Sequence, residues 1–276
     1  MPVGLRNNLM KTIKYCFIFL LTCQSASLAY AQVLHTENFN VILDSSKTIK
    51  GSFMPNFRYR NLKEDYTEIG NTADISIRFK KNAITIANRL EYARFGKENL
   101  LSGGFIYLEY MHIEEKKYAI EPFFQMHWQE IRGLDRKYAV GSNFRWAILV
   151  KQGLGLYAGI GSFYEFEKWV YTGVSDETRI PENPTSEEVN RLRGASYISF
   201  KKEFQDLFIL DVSAYYQPTL KKPGKSYRLA GSFELTYQFS KYLGLTLLYQ
   251  NIYDTDPVVP IDKLFNDVNF GLTFSF

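Results

Sequence analysis

The sequence predicts an all-β protein: an antiparallel up-and-down transmembrane β-barrel of about twelve strands, of the outer-membrane type. Three observations predict it. The final stretch alternates strictly, with Val268, Phe270, Leu272, Phe274 and Phe276 on one face of an extended chain and Asn269, Gly271, Thr273 and Ser275 on the other. The first residues carry the marks of an export signal. Between the two, strand-length segments repeat the alternation and are joined by connections that are alternately short and long.

A secreted sandwich or soluble barrel also uses alternating strands. Two features favour the membrane barrel. The last strand runs to an aromatic final residue, whereas soluble domains usually fray at their ends, and the chain is marked for export. An apolar-out, polar-in strand ending on Phe276 resembles the closing strand of a bacterial outer-membrane barrel, whose assembly machinery reads a terminal aromatic. Phe276 is therefore the expected assembly signal. Outer-membrane lipids and that machinery are the expected partners.

Arg6, Lys11 and Lys14 precede a short apolar run, 15–21, and a segment of small residues ends at Ala29-Tyr30-Ala31. A basic start, a short apolar core and an A-x-A site predict a signal peptide over 1–31, cut before Gln32. The run is shorter than the roughly 17–25 residues of a spanning helix. Cys23 offers a weak lipoprotein alternative, with Thr22 a poor residue before it. Cys16 and Cys23 are the only cysteines and both lie in the signal, so the exported chain holds no disulfide and no thiol chemistry.

Removing Arg6, Lys11 and Lys14 from the formal +4 leaves +1 for 32–276, which gives no reason to expect nucleic acid as a partner. The 22 Phe and 20 Tyr suit a barrel with aromatic girdles at both membrane interfaces.

In order, 32–48 reads as a periplasmic lead-in and 49–276 as the barrel. Strands are expected at about 49–61, 66–80, 83–95, 102–113, 117–129, 136–149, 154–168, 192–202, 206–217, 226–239, 243–253 and 268–276. The fifth sets Tyr118, Ile120, Phe124, Met126 and Trp128 outward against Glu121, Phe123, Gln125, His127 and Gln129. The sixth sets Tyr138, Val140, Phe144 and Trp146 against Gly141, Asn143 and Arg145. The seventh sets Leu156, Ile160, Tyr164 and Phe166 against Tyr157, Gly159, Gly161, Glu165 and Glu167. The eighth is poorly patterned. The ninth and tenth turn Asp211, Ser213 and Tyr215, then Arg228, Ser232 and Glu234, inward.

Short turns are expected near 80–82, 114–116, 151–152, 202–205 and 240–241. Longer connections are expected near 60–66, 95–102, 130–135, 170–191, 218–225 and 254–264. Short turns mark the periplasmic side, and an even strand number returns both ends of the barrel to it.

Glu121-x-Phe123-x-Gln125, then Leu134, Arg136, Gly141 and Arg145, resemble the central hairpin of the domain of unknown function 481 family of salt-induced outer-membrane proteins. The branch most similar is that of the Bacteroidota. Leu156-Tyr157-x-Gly159, Tyr164-Glu165, Tyr215-Tyr216-Gln217-Pro218, Tyr227-Arg228-Leu229, Tyr253-Asp254 and Phe276 extend the resemblance over nearly all of the exported chain. It implies an outer-membrane barrel in a Gram-negative envelope and supplies no biochemical activity.

The expected lumen lining is Glu121, Gln125, His127, Arg145, Tyr157, Glu165, Glu167, Asp211, Arg228 and Glu234, with Arg89, Glu91 and Glu109 on the same face. Mixed charge in a lumen reads first as a paired structural network and second as a pathway or ligand site. Inward Gly155, Gly159 and Gly161 either let the 170–191 connection fold inward or merely curve the strand.

An outer-membrane lipase needs a lipid-facing Ser–His pair. His35 precedes the barrel, His127 points inward and His112 lies at the periplasmic end of its strand, so no enzyme is expected. Three scattered histidines make no metal set, and Asp254-Thr255-Asp256 lacks the glycine and Glu of a calcium loop. No cofactor is expected. The functions left are an envelope-structural or narrow-channel barrel, or a surface binder acting through its loops on a small solute or surface ligand. One contact is expected inside: a hairpin symmetric about Gly133 would place Glu121 directly opposite Arg145.

Overall fold

A computed structural model describes residues 48–61, 64–114, 117–205 and 207–276. The expected signal peptide, and the lead-in up to residue 47, lie outside them. Twelve strands follow in chain order: β1 (Ile49–Asn61), β2 (Asp65–Phe79), β3 (Asn82–Phe95), β4 (Glu98–Glu114), β5 (Tyr118–Gln129), β6 (Leu134–Lys151), β7 (Leu154–Trp169), β8 (Glu187–Phe204), β9 (Phe208–Pro218), β10 (Tyr227–Gln238), β11 (Leu243–Asp254) and β12 (Leu264–Ser275). Each pairs antiparallel with its chain neighbours, and β12 returns to β1, closing the barrel. No helix among the described residues is long and apolar enough to cross a membrane.

The alternation sorts side chains by solvent. Outside, Ile120, Phe124, Val140, Phe144, Ile160, Leu229 and Phe270 are exposed; inside, Arg89, Glu109, Glu121, Glu165, Arg193 and Arg228 are buried. A water-soluble barrel does the opposite. Apolar groups outward and paired charges inward is the arrangement a hydrocarbon solvent requires, and closure leaves no lipid-facing sheet edge.

The seam between β12 and β1 is short. Ser52 pairs with Ser275 and Phe53 with Phe274. Gly51 and Phe276 then exchange reciprocal backbone hydrogen bonds of 3.2 and 3.1 Å. The Phe276 ring lies over Gly51, where a Cβ would stand 2.6 Å from it.

One rim carries the connections β2–β3, β4–β5, β6–β7, β8–β9 and β10–β11 together with both barrel ends. The opposite rim carries 62–64, 96–97, 130–133, 170–186, 219–226 and 255–263. Two expected long connections, 60–66 and 95–102, are therefore short. Gly96 takes φ +56° and turns the chain in two residues, so Phe95 pairs with Glu98 and β4 begins early. The eighth strand is longer than expected, which trims its preceding loop to 170–186.

Side chains of the barrel wall meet the inward glycines of β7, among the described residues. The Tyr157 ring covers Gly155, the Tyr197 ring covers Gly159, and Ser142 and Asn143 close on Gly161.

Candidate functional site

The lumen is filled rather than open. Near the long-loop rim, Arg228 donates from Nη1 to Glu165 (2.9 Å), from Nη2 to Glu167 (2.8 Å) and from Nε to Asp254 (2.6 Å). Lys137 Nζ bridges Glu165 and Glu167 at 3.1 and 3.2 Å. Arg193 donates from Nε to Glu165 and from Nη1 to the Gln217 carbonyl. Three cations thus face three carboxylates. Glu165 and Arg193 are both 0 % exposed, so the network is closed to solvent between β6 and β11. Pairing and hydrogen bonding are what allow such charges to be buried.

Deeper in, Arg145 Nη1 donates to Glu121 Oε1 at 3.0 Å, and the Tyr197 hydroxyl donates to Glu121 Oε2 at 2.9 Å. The Arg145 guanidinium also lies 4.1 Å from the Tyr157 ring centroid. Arg89 pairs with Glu91, and with Asp267 of β12 at 2.5 Å. Tyr107 donates to Glu109 at 2.5 Å and stacks towards Phe123, which meets Phe163. Towards the short-turn rim, Lys201 holds Asp211 at 2.5 Å, and Thr236, Thr246 and Thr273 form a hydroxyl chain.

The outer mouth is roofed by chain. Val174 of the 170–186 loop, with Val259 and Ile261 of the 255–263 loop, packs on Leu134, Trp169, Ile252 and Phe265. Turn Tyr171–Gly173 clasps turn Glu130–Arg132. Val170 N donates to Gly133 O at 2.7 Å and Thr172 Oγ1 to Glu130 O at 3.2 Å. Asp176 caps the next turn by accepting from Thr178 Oγ1 (2.6 Å) and its amide (3.2 Å), and the Thr178 hydroxyl holds the Asp176 carboxyl below the usual range.

Each lining residue expected from sequence faces the lumen. Glu121, Gln125, His127, Arg145, Tyr157, Glu165, Glu167, Asp211 and Arg228 are buried there, and Glu234 is half-buried opposite Asp211. The structure unites Glu165, Glu167 and Arg228 in one network and stacks Arg145 on Tyr157. Asp211 and Glu234 stand apart, at the inner end. His127 borders the outer recess with Nδ1 unpartnered. The direct Glu121–Arg145 register is corrected: Glu121 pairs with Asn143 and Arg145 with Ala119. The ion pair forms diagonally instead.

Sequence reasoning did not single out Lys137, Arg193, Lys201 or Asp267, and it weighed Asp254 only as part of a loop and of the family resemblance. Lys137 shares the inward parity of Gly141, Asn143 and Arg145, but it stands at the start of its strand in the charged run Asp135-Arg136-Lys137, just after a bulge between Leu134 and Arg136. Among the described residues no three potential metal ligands cluster.

Together these features define a transmembrane β-barrel with an occluded polar lumen. No protein-family model and no curated protein sequence matches the chain. Solved barrels are similar in shape. The NanC porin is 9% identical, covering 83% of this chain and 98% of its own, with a TM-score of 0.45. The KdgM porin in complex with disordered oligogalacturonate is 11% identical, covering 83% and 99%, with a TM-score of 0.43. The translocator domain of the autotransporter NalP from Neisseria meningitidis is 9% identical, covering 82% and 86%, with a TM-score of 0.44. At that distance a shared shape says nothing about solute or partner.

Proposed function

We propose that this is an outer-membrane barrel of structural role, whose lumen is a bracing core and not a diffusion path. One observation carries the reading: the ionic layer of Lys137, Arg193, Arg228, Glu165, Glu167 and Asp254 fills the lumen between β6 and β11 with its members buried and paired. A conducting path must offer ions sites they can leave as readily as they join. Here each carboxylate is already held by a fixed cation. The aromatic layer of Tyr107, Phe123 and Phe163 supports the same reading below it.

The apolar outer face supports placement in a lipid bilayer, and the signal read over 1–31 supports export to the outer membrane. No enzymatic role is proposed. The deciding measurement is single-channel recording of the purified barrel in planar bilayers. The expected result is no steady current. A stable unitary conductance would return the narrow-channel reading to first place.

A further inference from the structure

Arg132 sits at the outer mouth on the turn between β5 and β6. Its guanidinium lies over Phe265, 3.5 Å from the ring centroid, with the Trp169 ring centroid at 5.8 Å. Every other arginine in this neighbourhood has a carboxylate: Arg228 has three, Arg193 has Glu165, and Arg191 has Asp256 at 3.7 Å. Arg132 makes no ion pair among the described residues, and its Nε is buried with no hydrogen-bond partner. Burial and the neighbouring Arg228 push its pKa down to about 9 against the opposing pull of Asp254 and Glu167, and it stays charged at neutral pH.

A second orphan faces the same space. His127 is 1% exposed, and its Nδ1 has no partner. His127, Arg132, Lys137, Trp169 and Phe265 line one recess together with Glu167, Arg228 and Asp254. The acids are engaged: Glu167 by Arg228 and Lys137, Asp254 by Arg228. The six-member network balances its own charge, so Arg132 adds one unmatched positive charge. The cavity volume is about 30 Å³, room for roughly two solvent-sized groups and too little for a sugar ring.

We propose that this recess binds the carboxylate group of a small monoanionic organic acid arriving from outside. Arg132 would hold its two oxygens with a guanidinium edge, and His127 would donate from Nδ1 in the tautomer that protonates that nitrogen. A planar fork fits a planar carboxylate, and one unmatched charge favours a monoanion over a phosphate dianion. The aromatic walls of Phe265 and Trp169 pre-set the guanidinium plane, so little freedom is lost on binding. The 170–186 loop is part of the device, because its clasp on Glu130–Arg132 fixes where Arg132 points. This site is independent of whether the lumen conducts.

The test uses the folded full-length barrel in detergent with sodium acetate as probe, at constant ionic strength set by sodium chloride. Saturation-transfer NMR on the acetate methyl group reads binding directly. A saturating signal is expected, lost on adding formate as competitor and insensitive to added phosphate. Arg132→Gln should weaken binding by about tenfold or more, the share of a charge-assisted pair, and Arg132→Lys should restore part of it. A heat-modifiable band shows that each variant is folded. A signal that stays linear in acetate on the unaltered protein overturns the site without need of any variant. So does equal saturation in folded Arg132→Gln. Displacement by phosphate overturns the carboxylate assignment.

Discussion

Arg145 and Glu121 form an ion pair of 3.0 Å across the β5–β6 hairpin without being cross-strand partners. The pairs on either side are Glu121–Asn143 and Ala119–Arg145, an offset of two residues from a hairpin centred on Gly133. Two residues is a full period of a strand, so the offset leaves every side chain on its expected face. The turn explains it. Glu130–Arg132 forms a 3-10 turn closed by Gly133 at φ +78°, and a bulge between His127 and Gln129 absorbs a residue. The long Arg side chain then reaches diagonally to Glu121.

This geometry makes Arg145→Leu more harmful than Glu121→Gln. The leucine removes the ion pair, the stacking on Tyr157 and the contact of Nη1 with Met111 Sδ at 3.6 Å. The glutamine keeps the shape: its amide oxygen can accept from Arg145 while its NH2 donates to the Tyr197 hydroxyl, which turns to accept. Breaking a buried pair typically costs about 3–5 kcal/mol, and Arg145→Leu should fall there, with Glu121→Gln clearly smaller. Urea unfolding of the two variants in lipid vesicles ranks them. A larger loss for Glu121→Gln would mean that the uncompensated guanidinium, not the lost contacts, dominates.

Most of the fold was legible because membrane barrels write one signal repeatedly. Ile120 against Glu121, or Phe233 against Glu234, states both strand and facing at once. β8 was hard to read because its outward face includes Gly194, Ser196 and Lys202 while its inward face includes Ala195 and Tyr197, so the contrast fails. The facing of site residues followed from parity alone. Their partners did not: Arg228 meets Glu165 across the bore from a strand three places away, and Arg89 meets Asp267 by the same kind of reach. The outer recess was illegible for the same reason, since β5, a turn, the 255–263 loop and β12 each supply part of it.

Closure of the barrel rests heavily on its last residue. Phe276 supplies two of the backbone hydrogen bonds between the ends and lays its ring on Gly51. Deleting Phe276 should reduce the folded, heat-modifiable barrel recovered from the outer membrane. Phe276→Ala keeps the backbone bonds and should give an intermediate yield. Gly51→Leu should match the deletion, because a side chain there drives into the ring. Full yield from all three would detach the terminus from assembly.

Orientation can be read with tags. The 170–186 connection lies on the rim opposite the barrel ends, and the 152–153 turn lies on the same rim as the ends. Epitopes placed within 176–186 should be labelled by antibody on intact cells, and epitopes at 151–152 only after the outer membrane is opened. The reverse pattern would invert the barrel.

The final prediction concerns the outer network as a unit. Arg228→Leu takes away the ion-pair partner of Asp254 and leaves Lys137 and Arg193 paired with the carboxylates of the layer, one carboxylate in excess among these paired groups, with Arg132 beside the same recess. That imbalance should lower unfolding stability by about 3–5 kcal/mol. Adding Glu167→Gln removes the excess charge, and the amide oxygen can still accept from the Trp169 indole N–H, now 3.2 Å from Glu167 Oε2. The double variant should therefore be less damaged than the sum of the two singles, with a coupling of about 1–3 kcal/mol. Strictly additive losses would show that Arg228 and Glu167 touch without sharing an energetic network. The bracing role proposed for the lumen would then have to rest on the aromatic layer of Tyr107, Phe123 and Phe163 instead.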